Sequence, residues 1–334
     1  MIHTLWFLVL GLMLTGYALL DGFDLGVGTL HFLVGRTRDE RATAIDTIGP
    51  VWNGNEVWLL AAGGAMVAAF PTVYAASFSG FYLALMLVLW LLILRGLAIE
   101  FRHQLHNTLW EQAWDVVFCG SSLLLSLLFG VAIGNVLRGV PLDADGHFQG
   151  SFALMLNPFA VLGGVLGVVA LAMHGAGWLA LKTTGVLRDR ARRWRTSLAW
   201  VTAGVLVAFV AASPIVRPDF AKNFLAMPVL VAVPLLGLAG IVILLRRPAR
   251  DGVAFAGTSL VVGATLGSAA AGLYPTLLPA LPGSAHAGLD IYNSASPEGS
   301  LRIALAIYLC GMAIVMVYLW KIYRVWRGPA GRVY

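Results

Sequence analysis

Nine mostly apolar stretches, most of about twenty residues or more and separated by polar connections, decide what this 334-residue chain can fold into. They run over about 5–34, 51–70, 76–100, 113–137, 158–182, 196–214, 228–246, 254–273 and 301–323. Roughly 20 helical residues cover about 30 Å of hydrocarbon, and in lipid only helices and closed barrels satisfy their own backbones. Barrel strands would be shorter and would alternate strictly, which these stretches do not. The reading is an all-α polytopic membrane protein of about nine transmembrane helices. A soluble domain is excluded: only 11% of residues are charged, against about a quarter in ordinary globular proteins.

Short connections predict antiparallel neighbours: spans 1–4 (about 5–137) and spans 5–8 (about 158–273) as two four-helix bundles, with span 9 (about 301–323) peripheral. The whole chain, 1–334, then forms a single transmembrane domain. The segment Met1–Thr4 has no basic n-region, so the first stretch is expected to remain a helix rather than a cleaved leader.

Seventeen of the 22 Lys and Arg residues fall in the loops after spans 1, 3, 5 and 7 or at the C-terminus. The other side has only Arg138, Arg217, Lys222 and Arg302, while Arg95 lies within span 3. Positive-inside reasoning puts the N-terminus outside and the C-terminus in the cytoplasm. The positive charge therefore reads as topology rather than as a surface for nucleic acid. Cys119 and Cys310 lie in apolar runs without paired spacing and read as buried free thiols.

The acidic residues are unevenly placed. Spans 5 to 9 contain none, whereas Asp21 and Asp24 sit within span 1, Glu56 in span 2, Glu100 at the end of span 3 and Asp115 at the start of span 4. A carboxylate at membrane depth costs about 2.5–3.5 kcal/mol on insertion scales, so it marks function or a committed partner. The spacing of Asp21 and Asp24 places them on neighbouring parts of one helical face. Arg95 can pair with Glu100 along its own helix, or across helices with an acid such as Asp24. Two readings follow: a hydrated inlet from the cytoplasm that holds and passes protons, or an ion-pair network that fixes packing with Asn53, Asn55 and Arg95 as partners. Of seven histidines only His174 is plainly inside a span, so no facing pair suited to haem is evident, and no metal-binding spacing is present.

The motifs Asp21-Gly22-Phe23-Asp24-Leu25-Gly26-Val27-Gly28 and Trp52-Asn53-Gly54-Asn55-Glu56-Val57-Trp58-Leu59 resemble subunit II of cytochrome bd-type quinol oxidases. The resemblance continues through Tyr74–Tyr82, Arg95-Gly96, Gly134-Asn135 and Leu156-Asn157-Pro158-Phe159. The compact outer loops resemble the cyanide-insensitive branch. The resemblance implies a bacterial cytoplasmic-membrane complex that oxidises ubiquinol or menaquinol and reduces dioxygen to water. It implies a haem-bearing subunit I as partner, holding b-type and d-type haems or b-type alone, with no haem or metal ligated by this chain and no catalytic residue in it. It leaves room for a structural quinone or lipid and for a small single-helix subunit. By position it assigns Asp24, Asn53, Arg95 and Glu100 to a polar proton route, which the residue pattern extends to Asp21 and Glu56. Asn53 stands where the family often has Asp, and an amide cannot titrate. A proton- or ion-coupled transporter would use the same acids but needs a second polar half. A purely structural scaffold subunit is the remaining alternative.

Overall fold

The structure, a computed structural model, describes residues 1–246 and 248–330. Arg247 and Arg332, two of the cations that support the topology above, lie outside the described residues. The first half of the chain holds α1 (Ile2–Thr29), α2 (His31–Val34), α3 (Arg38–Asp46), α4 (Trp52–Ala69), α5 (Pro71–Gly80), α6 (Tyr82–Phe101) and α7 (Thr108–Arg138). The second half holds α8 (Phe152–Met155), α9 (Pro158–Lys182), α10 (Gly185–Val216), α11 (Lys222–Ala226), α12 (Ala232–Leu245), α13 (Asp251–Leu273) and α14 (Glu298–Val325).

Among the described residues, eight helices are long and apolar enough to cross a membrane: α1, α6, α7, α9, α10, α12 with its lead-in from Pro228, α13 and α14. The second expected span corresponds to α4, an 18-residue helix whose first turns carry Asn53, Asn55 and Glu56. Local chemistry sets several boundaries. Asn107 accepts from the backbone of Leu109 and Trp110 at the start of α7, and Asn157 accepts from Ala160 just before Pro158 opens α9.

Four expectations change. The stretch 5–34 is broken at Leu30, so His31–Val34 is a separate turn. The stretch read as 76–100 is two helices meeting at Phe81. The basic segment after span 5 is not a loop but the first turns of α10. There Leu187, Ala191 and Leu198 bury one face while the arginines turn to acids, an amphipathic pattern that hydropathy alone hides. Cys310 is also exposed, on the outer face of α14, rather than buried.

The helices form two interlocked quartets. One is α1, α4, α6 and α7, the other α9, α10, α12 and α13, and α14 lies against α4 and α1. The packing repeats. The α1–α4 contact is matched by α9–α10, α6–α7 by α12–α13, and α1–α7 by α9–α13. The quartets meet along α9, which packs against both α7 and α1. A Cβ on Gly26 would sit 1.9 Å from the Leu171 carbonyl oxygen, and one on Gly175 would sit 2.2 Å from Gly26. Glycine at both positions lets the backbones touch. Nearby, the Phe23 ring stacks on Trp178 with centroids 4.0 Å apart. The loops around 139–157 and 274–300 pack together at one end, through a two-stranded pairing of Thr276–Pro279 with Gly288–Asp290 and a bridge from Val140 to Ala280.

Candidate polar relay site

A run of six residues in α1 with an acid every third position puts Asp21 and Asp24 on one side of the helix. Both are 0% exposed. Two neighbouring helices supply partners. From α6, Arg95 donates through Nη1 to Asp21 Oδ1 at 2.7 Å, and its Nη2 stands 3.6 Å from Glu56 on α4. From α4, Asn55 donates through Nδ2 to Asp24 Oδ2 at 2.8 Å and to the Leu20 carbonyl at 3.2 Å. The Asn55 carbonyl accepts from the Tyr323 hydroxyl of α14 at 2.7 Å.

The partners do not saturate the site. Among the described residues, Asp21 Oδ2, Asp24 Oδ1 and Nε of Arg95 are buried without a hydrogen-bond partner, while the Tyr17 hydroxyl stands beside Asp21 and Nη2 of Arg95 faces Glu56. Buried polar atoms are usually satisfied, so these open donors and acceptors can take up hydrogen bonds from water. Two carboxyls, Asp21 and Glu56, face one guanidinium, and Asp24 is held by the Asn55 amide instead. Glu56, with 24% of its side chain exposed, is the point at which the group opens outward.

Of the six residues singled out from sequence, the structure brings together Asp21, Asp24, Glu56 and Arg95. Arg95 takes Asp21 as its partner rather than Glu100 or Asp24. Asn53 is exposed on the outer face of α4, and Glu100 is half-buried and makes no hydrogen bond or ion pair among the described residues. The amide that reaches the site is Asn55, two residues on. Tyr323 carried no sequence signal beyond being an aromatic residue in the last span.

A family model described as "Cytochrome bd terminal oxidase subunit II" matches residues 2–326. The chain belongs to the cytochrome bd terminal oxidase subunit II family. It is 37% identical to the probable cytochrome oxidase subunit 2 of Haemophilus influenzae, over 94% of this chain and 91% of that one. It is 35% identical to cytochrome bd-I ubiquinol oxidase subunit 2 of Escherichia coli, over 96% and 93%. With cytochrome bd ubiquinol oxidase subunit 2 of Bacillus subtilis the identity is 33%, over 90% and 89%. A chain of the bd oxidase from Geobacillus thermodenitrificans shares the fold, with a TM-score of 0.77, 98% coverage of both chains and 18% identity.

Haem is the cofactor that bd oxidase membership implies. His174, the histidine at membrane depth, has both ring nitrogens engaged: Nε2 donates to the Leu19 carbonyl at 2.9 Å, and Nδ1 is 2.8 Å from Thr258 Oγ1. It therefore offers iron no free lone pair, and the site does not fit an axial ligand.

Three further ion-paired groups pin this subunit II at the basic-loop end. Asp115 of α7 accepts from Arg102 Nε at 2.6 Å and Arg41 Nε at 2.8 Å, and its Oδ1 lies 2.7 Å from His31 Nε2. Burial pushes the His31 imidazole below its usual range against the pull of Asp115. Arg190 of α10 reaches Glu40 at 2.8 Å and the Val34 carbonyl, tying α3 to the second quartet. That hydrogen bond from Arg190 holds the Glu40 carboxyl below the usual carboxylate range. Asp251, in the first turn of α13, gathers Arg188, Arg192 and Arg195 at 2.6, 2.6 and 3.1 Å. Helix α13 begins before the expected span, which brings this acid into the second quartet's helices.

Proposed function

We propose that this chain is the non-haem-ligating subunit II of a bd-type quinol:oxygen oxidoreductase, set in a bacterial cytoplasmic membrane beside a haem-bearing subunit I. Its α1–α4–α6 cluster holds and passes protons drawn from the cytoplasm toward the site of dioxygen reduction. The basic loops, gathered at one end, favour placing that end in the cytoplasm. Protons consumed inside and released from quinol outside make the reaction electrogenic. A bound structural quinone or lipid and a small single-helix subunit are compatible with this reading.

The observation that carries the proton role is the pair of fully buried acids, Asp21 and Asp24, each with one carboxylate oxygen unpartnered beside a single guanidinium. One guanidinium offsets one carboxylate, so charge balance leaves carboxyl sites where a proton is held or handed on. Asn53 and Glu56 open on the outer side of α4, where subunit I would lie, and Asn53 acts there through water rather than by titration. Glu100 contributes at the cytoplasmic end of α6. A free-standing transporter is disfavoured by the whole-length match to oxidase subunits. A pure scaffold role is disfavoured by the open polar atoms, which a packing network would pair.

The assembly is tested by purifying the tagged chain from its native membranes in mild detergent. A co-purifying haem protein with a b-type or d-type absorption spectrum and quinol-driven oxygen uptake supports the reading. Recovery of the chain without haem or oxidase activity contradicts it.

A further inference from the structure

A pocket of about 190 Å³ with mixed polar and apolar walls opens at the basic-loop end, between the turn leading into α4, the end of α9 and the last turn of α14. Its walls include Asp46, Thr47, Trp178, Lys182, Tyr323 and Arg327. The tail beyond α14 closes one side. The Ala330 N–H donates to the Lys182 carbonyl at 2.8 Å, and Lys182 Nζ donates to the Trp326 carbonyl at 2.5 Å. The volume suits several waters at about 30 Å³ each, and the walls offer the polar partners that such waters need.

The pocket is joined to the buried acids by two consecutive hydrogen bonds. Tyr323, on its wall, donates to Asn55 Oδ1 at 2.7 Å, and Asn55 Nδ2 donates to Asp24 Oδ2 at 2.8 Å. Asp24 Oδ1 remains without a partner. Asn55 carries no titratable proton, so the two bonds orient Asp24 and separate it from the pocket rather than conduct. We propose that this pocket is the proton-uptake chamber of the chain, with Tyr323 and Asn55 as the positioning closure between its water and Asp24. The inference rests on the proton role proposed above and adds a specific mouth, distinct from the opening at Glu56. In this scheme a proton from chamber water reaches Asp24 when the Tyr323–Asn55 bond opens. Tyr323 is thus a positioning residue, not a proton carrier.

The test uses the assembled complex, with oxygen uptake measured at saturating quinol in H2O and D2O and the haem spectrum recorded for assembly. Tyr323→Phe keeps the ring and removes the hydroxyl. Without the hydroxyl the closure no longer forms, so we expect a smaller solvent isotope effect, with turnover at or above the parental rate and the haem spectrum unchanged. Val325→Cys, on the same wall and 66% exposed, is then treated with a bulky membrane-impermeant thiol reagent. The reagent should slow Val325→Cys strongly and leave the parent, which has Cys119 and Cys310, unaffected. Asp24→Asn is the control for the underlying reading. If it slows turnover while Tyr323→Phe and the plugged Val325→Cys both keep the parental rate and isotope effect, the chamber is wrong and the relay stands. If Asp24→Asn itself keeps the full rate, both are overturned.

Discussion

Removing Arg95 tests how the buried charges are balanced. Both Arg95 and Asp21 are 0% exposed and sit 2.7 Å apart. Arg95→Met leaves a carboxylate sealed beside a second acid, and breaking a buried pair from one side costs about 3–5 kcal/mol. Asp21→Leu costs less, because Arg95 keeps Glu56 at 3.6 Å. The double variant Arg95→Met/Asp21→Leu replaces the pair by apolar groups and should lie within about 2 kcal/mol of the parent, since such replacements are often near neutral. The coupling between the two positions is then several kcal/mol, far above the few tenths expected for independent sites. Thermal unfolding of the assembled complex in detergent, at one fixed scan rate because membrane complexes unfold irreversibly, reads the ranking. At about 2–4 °C per kcal/mol, Arg95→Met should lower the midpoint by roughly 6–20 °C and the double variant should recover most of that loss. A double variant that falls as far as the two singles summed would refute the pairing.

Other consequences are as specific. Gly26→Val should abolish accumulation of the folded chain, since even its Cβ would meet the Leu171 carbonyl at 1.9 Å, whereas Gly64→Ala, with nothing within 4 Å, should accumulate normally on immunoblots. Asn55→Ala removes three hydrogen bonds and leaves Asp24 Oδ2 unpaired, so it should destabilise the complex by about 2–4 kcal/mol. Asn53→Ala, at an exposed position, should leave the midpoint within about 0.5 kcal/mol of the parent. The Glu40 carboxyl is depressed in the folded chain, so its contribution is present above the ordinary carboxylate pKa and fades as pH falls through the lower, folded value. The midpoint of Glu40→Gln should therefore depend less on pH than the parent's below about pH 4.5.

Much of this was legible because the bilayer punishes polar groups. The cost of burying Asp21, Asp24, Glu56 and Arg95 in apolar stretches made them visible one by one. Their partners were less so. Asp21 and Asp24 share a helical face, and nothing in spacing says which of them meets a guanidinium on another helix. Asn53 and Asn55 flank a single glycine, and only the rotation of α4 decides which points inward. Tyr323 lies 268 positions from Asn55, so its contact belongs to tertiary packing alone. The arginines of α10 mislead for a related reason. Their charges signal the end of the membrane, but Leu187 and Ala191 between them carry the helix onward, because helix formation needs a buried stripe and not an apolar segment.

The account depends on Asp24 exchanging protons in step with turnover. The most direct measurement is oxygen uptake at saturating quinol by the assembled complex carrying Asp24→Asn, alongside its haem spectrum. Loss of most of the rate with an unchanged spectrum is the predicted result. Full turnover with an intact spectrum would contradict the proton role, and loss of the spectrum itself would assign the residue to packing.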